Sequence, residues 1–503
     1  MSVNRNIVAN YLGSAWAAII QLAFVPLYIG YLGMEAYGLI GFYASLQALL
    51  SLLDMGLTPT LTRELARFKA GALQLGDVRA LLKTVETLFI GVALVIFVLV
   101  VAGSGWLAAR WLKTETLPVA TATGAICLMG GLIALRWLEG MYRGVIIGLQ
   151  QLVWLNTVNA AFATLRGVGV LVVLARISPT IEAFFLYQAA VSLIELLVFY
   201  RKSWSLLAHR DRPAFSTAAL RRIWRFSAGL TMISLLVLLL LQADKILLSS
   251  MLPLGQFGYY ALASSVAGSL AMLIVPISGV AYPRLSELVE RGDVSLLADT
   301  YHRFAQLLTV VLAPGALVLA LFSERILMLW IADPATVRAT APLLGPLAVG
   351  AMLNGFMNIP NSLLLAYGNT RFMIALYTVF VLVFVPLVYG GVSAYGAAAA
   401  AYAWIAMNAA CVAIAVPLMH RKLLPQEQWR WYWHDLALPL AAAFAAAYAV
   451  SLAAPAPVAH HNVENLLVVA LALVLALFAA VGASPFARGM AARAWRLFSR
   501  SPA

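Results

Sequence analysis

The chain is 503 residues long, with 63% of its residues drawn from AVILMFWYC and only 11% charged. Soluble domains carry about a quarter charged residues, so this chain cannot cover a body of its size with a water-facing surface. The net charge of +13 invites a nucleic-acid reading, but no aromatic-basic module accompanies it and the cations sit elsewhere, as described next; the composition is that of an integral membrane protein.

Apolar windows of about 20 residues, the length that crosses hydrocarbon as a helix, recur in chain order at 9–30, 38–58, 84–106, 117–138, 151–175, 181–200, 226–248, 257–282, 301–322, 338–361, 372–390, 393–419, 436–454 and 463–483. The predicted fold class is all-α, with about 14 transmembrane helices. The short gaps at 31–37 and 391–392 leave the count open by one. The first span follows Arg5 with no A-x-A-like site after it, so it reads as a retained helix and not a cleaved leader. With the N-terminus placed in the cytoplasm, 26 Lys and Arg fall on the cytoplasmic side and 5 on the other, with Arg166 and Lys245 inside spans. That asymmetry is the positive-inside pattern, and it predicts that both termini are cytoplasmic. The basic run 201–225 reads as an orientation signal touching anionic lipid heads.

The stretch Glu35-Ala36-Tyr37-Gly38 is echoed by Gly255-Gln256-Phe257-Gly258, and an arginine follows each span so opened, Arg63 and Arg284. This repeat of about 220 residues predicts two pseudo-symmetric six-helix lobes, the plan of rocking transporters. The predicted division is an N-lobe at 1–200, a basic linker at 201–225, a C-lobe at 226–419, and two extra spans with a basic tail at 420–503.

No Gly-x4-Gly-Lys-Ser/Thr phosphate cradle occurs, and no Ser-His-Asp or paired-carboxylate constellation stands out, so the chain is not expected to be an enzyme. Cys127 and Cys411 lie in apolar segments and frame no disulfide or metal cluster. The six histidines, His209, His302, His420, His434, His460 and His461, lack metal-ligand spacing and read as solvated. No metal and no cofactor are expected.

Polar residues recur at helical spacing inside several spans: Gln47, Ser51 and Asp54; Asn156, Asn159 and Arg166; Gln188, Ser192 and Glu195; Gln242 and Lys245 beside Asp244; Asn354, Asn358 and Asn361. Lipid would leave these groups without partners, so they should face inward. Each stripe taken alone reads as interhelical glue. Together they favour a polar, substrate-binding cavity. Arg166 is the sharpest candidate, being far from either end of its span, with an ion pair to Glu195 as the competing structural explanation. Asp244 and Lys245 lie near the outer end of span seven, where snorkelling competes. Asp54, Glu86, Arg136 and Glu139 sit near the inner interface and read as structural, and the last two spans read as peripheral.

The first hairpin resembles a known family. Residues Pro26–Gly38, Leu53–Leu57 and Thr62–Arg67, with Gln242–Ser249 and Leu254–Tyr260 in the second repeat, are similar to the polysaccharide-transporter family, which includes O-antigen flippases and belongs to the multidrug/oligosaccharidyl-lipid/polysaccharide exporter superfamily. The resemblance implies a flippase carrying an undecaprenyl-pyrophosphate-linked oligosaccharide from the inner to the outer leaflet of a bacterial cytoplasmic membrane, by alternating access. Membrane lipids and that glycolipid are the expected partners, with a polysaccharide polymerase and assembly proteins as further ones. Coupling to membrane potential, H+ or Na+ stays open. A lipid II flippase or multidrug/cation antiporter is the alternative within the superfamily; a membrane glycosyltransferase or polysaccharide polymerase is the alternative from another class.

Overall fold

In hydrocarbon a backbone must satisfy its own hydrogen bonds, which leaves helices or closed barrels. The computed structural model describes residue Trp16 and residues 19–54, 56–208, 215–457 and 462–490; these form helices and no named strand, with one isolated bridge, Lys113 to Pro253. Among the described residues thirteen helices are long and apolar enough to cross a membrane, and a shorter apolar helix, Ile19–Leu32, precedes them. The all-α membrane architecture of about fourteen spans is therefore what forms; the start of the expected first span, 9–30, lies outside the described residues. The chain packs as two compact units, Met1–Gly258 and Tyr259–Ala503.

In the first unit α1 (Ile19–Leu32) and α2 (Met34–Leu50) are separated only by Gly33. Its φ of +82° is open to glycine and costly for any residue with a Cβ, which resolves the short gap as a true break. There follow α3 (Leu57–Lys69), α4 (Leu75–Trp106), α5 (Val119–Gly148), α6 (Leu152–Arg176), α7 (Ile181–Leu206) and α8 (Thr217–Met251). Helix α5 is the centre, packing on α3, α4 and α7. Its Ile126, Met129 and Ile133 are buried, and its Trp137 stacks on Phe89 of α4 with ring centroids 4.9 Å apart. The span expected to end at 138 continues ten residues further. Its charges do not terminate it, because they find partners. On the outside of α4, Leu94, Val98 and Leu99 are exposed, as lipid contact requires.

The two copies of the aromatic-glycine motif meet. A Cβ on Gly38 would overlap the carbonyl oxygen of Leu254, four residues before Gly258, and a Cβ on Gly258 would sit 2.6 Å from the carbonyl oxygen of Met34, four residues before Gly38. The same offset in both directions makes this a self-complementary crossing, possible only while both residues lack side chains. Around it the loop after α4 is pinned. Lys113 accepts from Leu254 N (2.9 Å) and donates from Nζ to Met251 O (2.7 Å). The carboxylate of Glu35 accepts from the backbone N–H groups of Glu115, Thr116 and Leu117 and from the Thr116 hydroxyl.

The second unit continues α9 (Leu254–Gly268) with α10 (Ala271–Arg291), α11 (Val294–Leu321), α12 (Ser323–Trp330), α13 (Pro334–Phe356), α14 (Asn358–Ala366), α15 (Thr370–Tyr395), α16 (Ala397–Leu423), α17 (Gln428–Ala453) and α18 (Asn462–Ala483). The eighth span, expected to be continuous over 257–282, is broken at Ser269 and Leu270. The Ser269 hydroxyl donates to Val266 O (2.7 Å), and both backbone N–H groups close three-residue turns there. The break expected at 391–392 falls instead at Gly396, which takes a φ of +66°, while Gly390 and Gly391 remain helical. Asp333 caps α13, accepting from Ala335 N and Thr336 N and hydroxyl; those bonds hold its carboxyl below its ordinary range.

Helix α11 is the core of this unit, packed by α10, α13, α17 and α18. The last two spans do expose Leu452, Val463 and Phe478, but they also bury Asp435 and Asn465, so they are not merely peripheral. Two histidines expected in solvent are buried: His302 on α11 meets carboxylates from Asp435 and Glu427, and His420 on α16 bonds Val416 O of its own helix with the rings of Tyr301 and Trp431 against it.

Gly38→Val and Gly258→Val should each destabilise by about 1–3 kcal/mol, the range for overpacking. The thermal midpoint of the detergent-solubilised protein measures this, with Gly91→Val, at an open position, unchanged.

Candidate functional site

The spacing i, i+3, i+7 places Arg136, Glu139 and Arg143 along one face of α5, and i, i+4, i+7 places Gln188, Ser192 and Glu195 along one face of α7. These faces meet, and Arg166 of α6 reaches into them. Arg166 donates from Nη1 to Ser192 Oγ (2.9 Å) and Gln188 Oε1 (3.4 Å), and pairs through Nη2 with Glu195. Glu195 also receives Arg143 (3.0 Å) and lies 3.8 Å from Arg136. Glu139 receives Arg143 Nε (2.5 Å) and Arg136 (3.3 Å). Tyr43 of α2 lies against Arg136 and Arg166.

Three arginines thus surround two glutamates, a surplus of one positive charge. The side chains of Glu139 and Glu195 are 1% exposed, whereas Arg166, Arg136 and Arg143 are 12%, 25% and 33% exposed. The carboxylates are sealed inside, and the guanidinium groups carry the accessible surface. The Arg136 Nε–H is buried without a partner beside that surplus charge. From Arg143 a ladder runs along α7: its guanidinium lies 5.3 Å over the Phe199 ring, Phe199 meets Trp154 edge-on at 5.3 Å, and Lys202 lies 5.6 Å over Trp154.

Of the residues singled out in the sequence, the structure gathers Arg166, Gln188 and Glu195, with Ser192, and leaves the others apart. Asn156 bonds within its own helix, to Leu152 O (2.8 Å), and Asn159 Oδ1 is buried without a partner. Gln47 sits half-buried on α2. Asp54 accepts from the backbone and hydroxyl of Thr58 (3.0 and 2.7 Å), fixing the start of α3. Asp244 and Lys245 pair with each other at 3.2 Å, and Lys245 also bonds Leu241 O. Gln242 Oε1 is buried without a partner. In the second unit Asn354 donates to Asn408 (2.9 Å), while Asn358 bonds the carbonyls of Asn354 and Gly355. Arg136 and Glu139, inner-interface charges by sequence, belong to this cluster, and Arg143 joins them. Their i, i+3, i+7 spacing was the available signal.

Among the described residues no group of three or more His, Cys, Asp or Glu could hold a metal ion.

Residues 3–289 match the sequence model of a family described as polysaccharide biosynthesis protein. A Shigella flexneri protein assigned as an O-antigen transporter is 20% identical over 412 residues, 80% of this chain and 94% of that protein. Among solved structures, the lipid II flippase MurJ in an inward closed conformation superposes with a TM-score of 0.68 at 13% identity, covering 94% of this chain and 97% of its own. An inward-facing multidrug resistance MATE transporter gives a TM-score of 0.62 at 13% identity, over 84% and 95%. The relative is named as a transporter, and the two solved neighbours as a flippase and a transporter.

Removing one partner of a buried ion pair strands the other. Glu195→Ala should therefore lower stability by about 3–5 kcal/mol, read as a drop in the thermal midpoint in detergent. The double variant Arg166→Met/Glu195→Gln should recover most of that loss.

Proposed function

The chain belongs to the polysaccharide biosynthesis protein family, and from that premise we propose that it is a flippase for a lipid-linked oligosaccharide. The proposed cargo is an undecaprenyl-pyrophosphate-linked repeat unit of O-antigen or exopolysaccharide, moved from the inner to the outer leaflet of a bacterial cytoplasmic membrane by alternating access, with both termini cytoplasmic. The observation that supports this best is the guanidinium surface of Arg136, Arg143 and Arg166 over two sealed carboxylates.

A pyrophosphate head carries two negative charges that hydrocarbon would exclude at a cost of tens of kcal/mol by Born solvation. Planar guanidinium groups match phosphate oxygens in pairs and keep their charge where a lysine would lose its own. The surplus charge and the unpartnered Arg136 Nε–H suit an anion. They do not suit a drug cation, which disfavours the antiporter alternative. The lipid tail would remain in the bilayer while the head group passes.

The test is sidedness of the lipid-linked oligosaccharide in inverted vesicles. Arg136→Gln and Arg143→Gln leave the Arg166–Glu195 pair in place and should slow flipping roughly tenfold or more, the worth of a charged hydrogen bond, with insertion unaffected. Flipping at the wild-type rate in both would sink the cationic site. Outward transfer of two negative charges is favoured by about 2.3 kcal/mol per charge per 100 mV, inside negative. Flipping should therefore accelerate when a potential is imposed on vesicles, and a rate indifferent to potential removes electrogenic export.

A further inference from the structure

Buried in the second unit, His302 of α11 has a carboxylate oxygen at each ring nitrogen: Asp435 of α17 at Nδ1, and Glu427, which precedes α17, at Nε2 (2.9 Å). A neutral imidazole has one N–H and one lone pair. Between two carboxylates it would press that lone pair against an anionic oxygen. The three side chains therefore hold one more proton than a neutral imidazole and two carboxylates contain, whichever atom carries it.

Their surroundings fix which arm is firm. The second oxygen of Asp435 accepts from Gln306 Nε2 (2.9 Å), whose own carbonyl accepts from the Ser484 hydroxyl (2.9 Å) and Phe486 N (3.2 Å) beyond α18. His302 and Asp435 are 1% exposed, but Glu427 is 29% exposed. Glu427 lies in the short connection between α16 and α17, beside Gln426 at a φ of +77°. Arg430 faces Glu427 at 3.6 Å and Asp299 at 3.5 Å, and Arg303 pairs with Asp299 at 3.6 Å. His420 of α16, Tyr301 and Tyr432 complete the shell. His420 Nδ1 bonds Val416 O, while its Nε2 and the Tyr301 hydroxyl are buried without partners. With the extra proton, His302, Arg430 and the two carboxylates sum to zero; without it they carry one negative charge.

We infer that His302, Asp435 and Glu427 form a proton-binding site that clasps the α16–α17 connection onto α11. This stands apart from the flippase reading, since every residue named in it belongs to the second unit. The clasped form holds the proton more tightly than the released form, so it dominates at low pH and loses ground as pH rises. Glu427, the exposed and loop-borne partner, is the arm that lets go.

The test uses the full-length protein in nanodiscs, with Cys127→Ser and Cys411→Ala and nitroxide labels at Gln426→Cys and Val294→Cys. Pulsed electron resonance reads the distance from about pH 5 to about pH 9, the range in which a histidine-centred site changes charge. The expected result is one narrow distance at low pH that is lost at high pH. In the same background Glu427→Gln should stay narrow throughout, because its carboxamide N–H can donate to the bare Nε2 of a neutral His302. Glu427→Ala should be broad throughout. A wild-type distance indifferent to pH overturns the site, as does a Glu427→Gln variant that follows the wild type. The readout is a distance and not transport, so it fails or succeeds independently of the cargo assay.

Discussion

Two carboxylates, Glu139 and Glu195, are sealed among helices with almost no exposed surface, and the first unit is arranged to make that tolerable. An isolated carboxylate in a low-dielectric interior either attracts counter-charge or gives up its own. Here three arginines from two helices answer two glutamates. The demand explains why α5 continues helically through Arg136, Glu139 and Arg143 up to Gly148. It also explains why α6 can hold Arg166 far from either end. The helices α5, α6 and α7 are tied by this exchange as much as by their apolar faces, and the leftover positive charge is a by-product of the tie that an anion can use.

The second unit meets the same constraint with a different solution. Asp435 is as deeply buried as Glu195, yet no arginine reaches it directly; a histidine and a glutamine do. An arginine keeps its charge at any physiological pH, whereas an imidazole between carboxylates keeps its charge only while it keeps its proton. One buried carboxylate is therefore answered by guanidinium groups and the other by an imidazole and a carboxamide. Because Ser484 and Phe486 close the same network from beyond α18, the last two spans are bound to α11 by chemistry and not only by apolar packing.

Much of this was legible in the sequence wherever the cause is local. Hydropathy alone locates the apolar centre of each described span, since crossing hydrocarbon demands an unbroken apolar run, but it misses the polar turns that extend α4 back to Leu75 and α5 on to Gly148. The echo of Tyr37-Gly38 in Phe257-Gly258 was legible too, and the crossing shows what the two glycines have in common: each makes room for the backbone beside the other. Arg166 stood out because a mid-span arginine is costly. What could not be read depends on partners far along the chain. His302 is buried because Glu427 and Asp435, more than a hundred residues later, come to it. The length of α5 depends on Glu195, fifty-two residues beyond Arg143. The break at Ser269 and Leu270, where both backbone N–H groups close three-residue turns, leaves no mark in the apolar periodicity.

Polar residues inside a membrane protein are either glue or site, and net charge separates the two here better than the hydrogen-bond inventory does, since Asn159 Oδ1 and Gln242 Oε1 outside the cluster are also buried without partners. Several groups close their bonds among themselves. Asn354 meets Asn408, Asn358 meets the carbonyls a turn before it, and Asp54 caps α3 through Thr58. Such groups need nothing further. The α5–α7 cluster does not close: it ends with one charge in excess, an unpartnered Arg136 Nε–H and guanidinium faces that are partly accessible. An unpaired donor in a dry setting is costly to keep. Its persistence is understandable if a ligand with acceptor oxygens completes it for part of each transport cycle.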